Sequence, residues 1–395
     1  MVLRVRGNID RSSIESIVLK INPPPLLDGP TMPELETPPV NDEPDLQALI
    51  SNSITPIDKA YRRNHCPFPD PIDPSAHRIR LEGLVSNPTQ LSLSDLRSDY
   101  AQHELTSALQ CAGNRRHTMR TLLSEVQGLD WFDGAVMNCT WRGPLLSDIL
   151  LSAGLQPDLD QTTQVAFACH AVPCQDDDWY GASLPLRRVL ETDVMLALEM
   201  NGEPLPHEHG GPVRVIAPGV AGARSVKWVD QISVQRGLST NHYMHFDYKV
   251  LPPEAQDSES ARPFWGVTPP VIEMPVNSVV AVPAEGSTVQ TDGEGRVSVR
   301  GYAVPGGDDG PIVGVEVSGD DGETWAEATL IPGEAESKWS WKLWEVRIGL
   351  ETGPGRTVLS RAVDRKGNEQ PRYSQWNLRG VCYNGYGEVR NLTVQ

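Results

Sequence analysis

One cysteine lies in a stretch of sequence whose residue types suit metal chemistry. Cys111 follows the apolar, strand-like run 106–110 and precedes a Gly-Asn turn at 113–114, and Arg115 and Arg116 come next. A thiolate is a soft metal ligand that nearby positive charge stabilises, and a turn with glycine leaves space for a bulky group to approach it. The two guanidinium groups then offer planar forks to an anion beside the cysteine. The alternative is that Cys111 is a buried small apolar side chain, the usual fate of a free cysteine.

Strands and short helices are predicted on both sides of this loop. Alternating apolar residues at 78–85 indicate a strand, and Ser92 is typical of the first residue of a capped helix. Further strands are predicted at 165–169, 194–200, 213–216 and 226–234, a helix at 147–155 and a hairpin turn at Asn201-Gly202. These elements do not alternate as regular βαβ units, and no Gly-x-Gly-x-x-Gly motif follows a strand. The pattern therefore predicts an α+β domain and argues against a nucleotide-binding Rossmann sheet.

Beyond about residue 250 the composition changes to short apolar runs separated by turns rich in Gly, Pro and Asp. Strands are predicted at Val276–Val282, Val297–Val304, Ile312–Ser318, Trp325–Leu330, Trp339–Val346, Thr357–Asp364 and Glu388–Val394. Short strands at this spacing are typical of a β-sandwich. The stretch 318–325 also fits the Asp-box pattern Ser-x-Asp-x-Gly-x-Thr-Trp. Because no further copies follow, it predicts only a stabilised hairpin turn.

The first 60 residues are predicted to form an N-terminal arm rich in proline. Eight prolines between residues 21 and 44 exclude a helix or a central strand there, and a short helix is predicted at 46–53. The first 20 residues lack the apolar core of a secretory signal, and no run of apolar residues is long enough to cross a bilayer. We therefore expect a soluble intracellular protein without a clear targeting signal, in the cytoplasm or in an organelle such as the peroxisome or the mitochondrion.

The net charge and the number of cysteines limit which binding partners and metal sites the protein is expected to have. With 34 Lys and Arg against 52 Asp and Glu, the formal charge of −18 argues against nucleic acid or a membrane as a partner. A small anionic substrate would then need arginines concentrated at its site. Six cysteines are too few for a disulfide framework in 395 residues. Cys169 and Cys174 flank a histidine, but zinc would need a second pair of ligands that the sequence does not offer, and their role stays open.

Three separated blocks resemble the sulfite oxidase family, which includes the eukaryotic assimilatory nitrate reductases. The blocks are Gln110–Arg116, the run of Glu199–Pro206, His209–Arg214 and Gly222–Trp228, and Trp376–Gly380. The resemblance implies an α+β molybdopterin-binding domain of the sulfite oxidase fold, followed by an all-β immunoglobulin-like sandwich that forms a homodimer. With the change in composition, it predicts an arm at 1–60, a catalytic domain at 61–250 and a dimerisation domain at 251–395.

The resemblance also implies that Cys111 is the protein ligand to molybdenum, which is otherwise held by the dithiolene sulfurs of molybdopterin. A soft thiolate suits a metal already bound through sulfur. By the same resemblance, the cofactor contacts Arg63, Asn64, His65, Cys111, His209, Arg214, Ser225, the backbone of Val226, and Lys227. An aspartate is implied as well, for which Asp176, Asp177 and Asp178 all qualify and Asp176 is favoured. Seen alone, His209 is a histidine in a polar surface turn. No haem is expected, because the chain has no room for a cytochrome domain before residue 61.

The substrate pocket implied by the resemblance consists of Arg63, Arg116, Trp131, Tyr248 and Arg379, beside Cys111. Three guanidinium groups offset the negative charge of the chain and suit bidentate binding of a doubly charged oxyanion. The indole N–H of Trp131 and the hydroxyl of Tyr248 each offer a hydrogen bond. The alternative for Trp131 is an ordinary core aromatic. Tyr248 lies at the predicted junction of the two domains, where a mobile gate or a proton carrier would be placed.

These residues together predict a haem-free sulfite oxidase similar to the plant enzymes. It would oxidise sulfite to sulfate by molybdenum-dependent oxygen-atom transfer and pass electrons to an external acceptor, with dioxygen first and a soluble cytochrome second. The alternatives are a nitrate reductase molybdenum domain and a sulfite dehydrogenase that uses a cytochrome. A cofactor-free adhesion or scaffold protein would have no use for the Cys111 loop or for three arginines.

Overall fold

The helices of the computed structural model are short and lie in the first two thirds of the chain. The model describes residue 35, residues 37–156 and residues 159–395, so most of the predicted arm at 1–60 lies outside the described residues. The helices are α1 (Leu46–Leu49), α2 (Leu93–Ser98), α3 (Arg116–Leu122), α4 (Leu146–Ser152), α5 (Leu186–Glu191), α6 (His242–His245) and α7 (Arg262–Trp265). Single 3-10 turns occur at Ile57–Lys59, His207–His209 and Gly222–Arg224. Across the described residues, none of the helices combines the length and the apolar character needed to cross a bilayer.

Eleven strands of the described chain accompany these helices and form three sheets. The strands are β1 (Arg78–Gly83), β2 (Thr89–Ser92), β3 (His103–Gln110), β4 (Val136–Gly143), β5 (Thr163–Cys169), β6 (Tyr180–Pro185), β7 (Met195–Ala197), β8 (Glu199–Met200), β9 (Glu203–Pro204), β10 (Arg214–Ile216) and β11 (Gln231–Arg236). The largest sheet has the order β2-β1-β11-β5-β6, in which only β1 and β11 are parallel. The second has the order β3-β4-β8-β9, and β10 pairs with β7. Parallel and antiparallel pairs thus mix, as expected for α+β.

Local signals in the sequence explain several of these boundaries. Ser92 accepts a hydrogen bond from the Asp95 N–H while the Asp95 carboxylate accepts one from the Ser92 N–H, a complete capping box for α2. Asn201 and Gly202 both adopt positive φ angles, 54° and 79°, so they form the predicted hairpin turn between β8 and β9. By contrast, β11 begins five residues later than predicted, because Trp228 has a φ of 50° that interrupts an extended chain.

The remaining strands form two facing sheets in the C-terminal part. They are β12 (Asn277–Val282), β13 (Thr288–Val289), β14 (Arg296–Val304), β15 (Ile312–Ser318), β16 (Ala326–Glu327), β17 (Thr329–Ile331), β18 (Lys342–Gly349), β19 (Gly353–Asp364) and β20 (Gly387–Val394). The orders are β12-β14-β18-β17 and β13-β20-β19-β15-β16, and both sheets contribute to one apolar core. The Asp-box stretch is the predicted hairpin turn, in which Asp320 accepts hydrogen bonds from the hydroxyl and N–H groups of Thr324.

A separate apolar cluster joins the two parts of the described chain beside the cysteine loop. It contains Ala108 of β3 and Val136 of β4 together with Val279, Tyr302 and Trp341 of the C-terminal part. Burial of this apolar surface holds the end of β3 against the first C-terminal sheet. The residues that follow β3, beginning with Cys111, are therefore positioned by both parts of the protein.

Candidate active site

Cys111 is the first residue after β3 and lies in the protein interior. Its N–H continues the ladder between β3 and β4 by donating to the carbonyl of Ala135 at 2.9 Å, and only 4% of the residue is exposed. Its Sγ accepts a hydrogen bond from the N–H of Gly113 at 3.4 Å. Burial raises the pKa of the Cys111 thiol, although the positive charges of Arg63 and Arg116 oppose that rise. Such a thiol stays protonated by itself and loses its proton on binding a soft metal.

Arg116 fits beside this loop because three glycines leave space for its side chain. A Cβ atom at Gly113 would come within 2.6 Å of the guanidinium, one at Gly128 within 2.8 Å, and one at Gly380 within 2.7 Å of its Cγ. The Nε of Arg116 donates to the carbonyl of Arg379 at 3.0 Å, and Nη1 donates to the carbonyl of Leu129 at 2.7 Å. Within the described chain, Nη2 has no hydrogen-bond partner and remains available to an anion.

Arg115 points in a different direction, so the expectation that both arginines face one anion is wrong. Its backbone has a φ of 67° at the start of α3, which turns its side chain away from that of Arg116. Its guanidinium donates to Asn277 Oδ1 at 2.6 Å and to the carbonyl of Gly385 at 2.8 Å. Arg115 is therefore a link between the cysteine loop and the C-terminal part.

A cavity opens next to Cys111. It is lined by Tyr61, Arg63, Asn64, His65, Cys66, Cys111, Met137, Tyr180, Arg214, Gly222, Ala223, Ser225, Lys227, Trp228 and Tyr248. Three of these residues are cationic, and no aspartate or glutamate is among them. In a chain with a formal charge of −18, such a lining indicates a ligand with negative charge.

Two of the cations in this cavity are buried against neutral partners. Lys227 Nζ donates to Asn64 Oδ1 at 2.8 Å and to the carbonyl of Glu208 at 3.0 Å. Arg214 donates through Nε to the carbonyl of Ser225 at 3.2 Å and through Nη1 to that of His209 at 3.0 Å. Burial, reinforced by the neighbouring positive charges, holds the pKa of Lys227 well below its usual range, and burial lowers the pKa of Arg214 to about 10.

Buried cations without counter-ions are costly unless an anion arrives. Neither Lys227 nor Arg214 forms an ion pair with any described carboxylate. The phosphate of molybdopterin would supply the negative charge that these two side chains lack. The cavity and the adjoining soft thiol therefore fit the cofactor that the sequence predicts.

A second group of side chains connects the cavity to the C-terminal part. The Nε2 atom of His65 lies 2.7 Å from the hydroxyl of Tyr248 and 2.8 Å from Nη2 of Arg63. Arg379 donates through Nη2 to Asp247 Oδ1 at 2.7 Å, and that carboxylate lies 3.8 Å from His65 Nε2. Although burial opposes it, the positive charge of Arg379 lowers the pKa of Asp247 to about 2, so the carboxylate is ionised. Burial raises the pKa of Tyr248 to about 12, which keeps its hydroxyl protonated.

Trp131 belongs to the same apolar cluster as Cys111. Its surroundings agree in part with a core aromatic and in part with a hydrogen-bond donor in the substrate pocket. Its ring packs edge-on against Tyr61 at 6.5 Å between centroids, as a core aromatic does. Its Nε1–H is buried, yet it has no hydrogen-bond partner in the described chain. Because buried N–H groups are normally paired, this donor is available to a bound group.

The structure places the other predicted cofactor residues at different depths. Ser225 lines the cavity, and Val226 is fully buried beside it. His209 is 1% exposed, so the surface interpretation of this histidine is wrong, and burial lowers its pKa to about 3.

The aspartates lie farther out. Asp176 is exposed outside the cavity and accepts a hydrogen bond from Tyr243, whose ring packs on His65. Its contact with a cofactor therefore stays a prediction. The Asp177 carboxylate instead accepts from the N–H of His242 and the side chain of Asn241 at the start of α6.

Two protein-family models match the chain. An oxidoreductase molybdopterin binding domain matches residues 65–243, and a Mo-co oxidoreductase dimerisation domain matches residues 268–392. Sulfite oxidase from Arabidopsis thaliana is 38% identical over 89% of this chain and 91% of that protein. Sulfite oxidase from Gallus gallus is 40% identical over 87% of this chain and 74% of that protein. The chain belongs to the sulfite oxidase family. The predicted family and the predicted fold class are thereby confirmed.

Other members and neighbours of the sulfite oxidase family are longer or more distant. The mitochondrial sulfite oxidase of Homo sapiens is 40% identical over 89% of this chain, which spans only 64% of the human protein. Nitrate reductase [NADH] 1 from Oryza sativa subsp. japonica is 34% identical over 89% of this chain and 40% of that protein. The solved structure of sulfane dehydrogenase SoxCD from Paracoccus pantotrophus has a TM-score of 0.70 at 24% identity, covering 89% of this chain and 88% of that one. This last likeness shows the fold alone.

Sequence reasoning missed several residues of the site. Tyr61, Cys66 and Tyr180 line the cavity, and Asp247 pairs with Arg379. Tyr61 lies two residues before Arg63, so its position could have been found from the sequence. Nothing in the sequence marks Asp247 apart from its neighbour Tyr248, because its partner is 132 residues away.

Proposed function

We propose that this member of the sulfite oxidase family binds molybdopterin with molybdenum in the cavity and oxidises sulfite to sulfate by oxygen-atom transfer. The observation that carries the proposal is the cationic cavity without carboxylates that leads to the buried Cys111 thiol. When bound there, the cofactor supplies the two-electron redox chemistry. The chain supplies the metal ligand, the counter-charges and the shape of the pocket.

The proposed roles of the side chains follow their distances and charges. Cys111 ligates the metal, while Arg214 and Lys227 neutralise the cofactor. Arg63 and Arg116 place positive charge beside the Cys111 sulfur, where an anionic substrate must bind. A fixed positive charge stabilises a doubly charged oxyanion without reorganisation during the reaction. The protonated Tyr248 lines the same cavity with its hydroxyl 2.7 Å from His65 Nε2, and Trp131 offers its unpaired indole N–H.

In this proposal the electrons pass to an external acceptor. Dioxygen is the first candidate for this acceptor, and a soluble cytochrome is the second. The 251–395 segment forms the homodimer, which the match to a dimerisation domain supports.

The test of the proposed function is a comparison of the activity of the purified protein with sulfite and with nitrate as substrate. Sulfite-dependent reduction of dioxygen or cytochrome c supports the proposal. Nitrate reduction without sulfite turnover would favour the nitrate reductase alternative.

The first prediction concerns the buried cation Lys227. Lys227→Met removes a charge-assisted contact worth roughly 1.5–3 kcal/mol, so the cofactor should be held about 10- to 100-fold less tightly. The same change removes a buried cation without a counter-ion, so the cofactor-free chain should melt at an equal or higher temperature. Molybdenum content by elemental analysis and thermal unfolding measure the two effects. Lys366→Met, at an exposed lysine, is the matched control. Full molybdenum content with a raised KM for sulfite would contradict the assigned role.

The second prediction concerns Arg379, which joins the C-terminal part to the site. Arg379→Lys keeps a charge for Asp247 but loses the planar fork, so kcat/KM for sulfite should fall by about 10- to 100-fold. Molybdenum content and melting temperature should stay close to those of the wild type. The competing interpretation is that the pair of Arg379 and Asp247 only stabilises the fold. In that case Arg379→Lys and Asp247→Asn would both lower the melting temperature and leave KM unchanged.

A further inference from the structure

Three of the six cysteines are buried in the apolar core that adjoins the cavity. Cys66, Cys169 and Cys174 belong to one buried cluster, with exposed fractions of 3%, 1% and 1%. Cys66 also lines the cavity, whereas Cys169 and Cys174 are not among its lining residues. None of the three is used by the proposed reaction. Within the described residues, no group of three or more cysteine, histidine or acidic side chains is arranged to hold a metal ion.

The backbone brings two of these cysteines side by side. The N–H of Gln175 donates to the carbonyl of His65 at 3.0 Å, so the segments that carry Cys66 and Cys174 are hydrogen-bonded neighbours. This hydrogen bond joins the peptide group between His65 and Cys66 to the one between Cys174 and Gln175, so each cysteine is directly next to the contact. The Cys66 and Cys174 thiols each shift the pKa of the other, whereas Cys169 acts on Cys174 only through its charge.

We propose that Cys66 and Cys174 are a redox-active thiol pair, which a peroxide that enters the cavity converts into a disulfide. The interaction between the two thiols lowers the pKa of Cys66 and raises that of Cys174, so Cys66 is the more nucleophilic of the two. Of the two, Cys66 is also the one that lines the cavity, so we expect it to react with the oxidant first.

The reaction balances with hydrogen peroxide as the oxidant. The Cys66 sulfur attacks one peroxide oxygen, the O–O bond breaks, and the departing hydroxide takes up a proton to become water. The Cys174 sulfur then attacks the sulfenic acid sulfur of Cys66, an S–S bond forms, and the S–O bond breaks with release of a second water. Two thiols lose two electrons and two protons, and one peroxide gains them to give two waters.

The disulfide would fix the part of the wall that carries Arg63, Asn64 and His65. It would join this segment to the loop of residues 174–177, which holds the start of α6 through Asp177. A link that closes a loop of about 100 residues restricts the unfolded chain strongly. The oxidised protein should therefore melt at a higher temperature. Only the effect on the cofactor rests on the proposed function, because the thiol chemistry needs no molybdenum.

The test is peroxide treatment of the purified full chain under native conditions, followed by thiol blocking and digestion without reduction. The number of free thiols should fall by two and return after dithiothreitol. Trypsin should release the peptide 64–78 joined to the peptide 143–187, two hydrogen masses below their sum. The second peptide contains both Cys169 and Cys174, so variants must distinguish them. Cys169→Ser should keep the link, and Cys174→Ser should abolish it.

Other outcomes overturn the inference. A bond between Cys169 and Cys174, a link that survives Cys174→Ser, or an unchanged thiol count would each exclude the proposed pair. If the link forms in a protein that does not oxidise sulfite, the inference stands and the proposed function fails. If sulfite turnover is normal and no link forms, the reverse holds.

Discussion

Cys111→Ser should lower sulfite oxidation by more than about 100-fold while the chain still binds molybdopterin. Loss of a group that merely orients a metal ligand costs roughly 10- to 100-fold in activity or affinity, and this change removes the soft ligand itself. The contacts of Arg214 and Lys227 lie elsewhere in the cavity and remain intact. Steady-state kinetics with sulfite, together with assays of pterin and molybdenum, measure the two effects separately.

Cys139→Ser is the matched control for this substitution. Cys139 is fully buried on β4, in the same apolar cluster as Cys111, and its thiol donates to the carbonyl of Thr55 at 3.7 Å. Its replacement should slightly lower the melting temperature and leave turnover close to normal. Near-normal turnover in Cys111→Ser would exclude Cys111 as the metal ligand. Equal losses in both variants would instead indicate a packing defect.

Features of the site that depend on neighbouring residues could be predicted from the sequence. The capping residue Ser92, the Asn201-Gly202 turn and the C-terminal strands all follow from local backbone preferences and side-chain alternation. Local physics determines such features, so they can be predicted without knowledge of the fold. The role of Cys111 is different, because the residues around it left two interpretations open and only the resemblance to the sulfite oxidase family implied a metal ligand.

Features that depend on distant partners could not be predicted. Arg115 and Arg116 are adjacent and chemically identical, yet one contacts Asn277, 162 residues later, and the other faces the Cys111 loop. The direction of each side chain depends on a left-handed backbone at Arg115, which no sequence rule assigns to arginine. The ion pair of Asp247 with Arg379 is similar, because only the folded chain brings the two together. Tertiary contacts determine the directions and partners of these side chains, and the sequence favours none of them.

Arg115→Met should lower the free energy of unfolding by about 3–5 kcal/mol, as expected when one partner of a buried ionic network is removed. Arg115 is 2% exposed, its Nε lies 3.4 Å from the carboxylate of Asp133, and besides Asn277 and Gly385 it donates to the carbonyl of Tyr386 at 2.7 Å. Methionine fills a similar volume but leaves these acceptors buried without a donor, and each costs roughly 1–3 kcal/mol when unpaired.

The size of this decrease in the free energy of unfolding shows whether Arg115 links the two parts of the chain or behaves as an ordinary surface arginine. Arg187 is the matched control: its side chain is 84% exposed and pairs with Glu191, four residues later on α5. Arg187→Met should change the free energy of unfolding by at most about 0.5 kcal/mol. Chemical denaturation of both variants measures the difference. If Arg115→Met also stays within that range, the hydrogen bonds from Arg115 to the C-terminal part contribute no net stability. In that case the apolar cluster around Ala108 and Trp341 holds the cysteine loop in place without them.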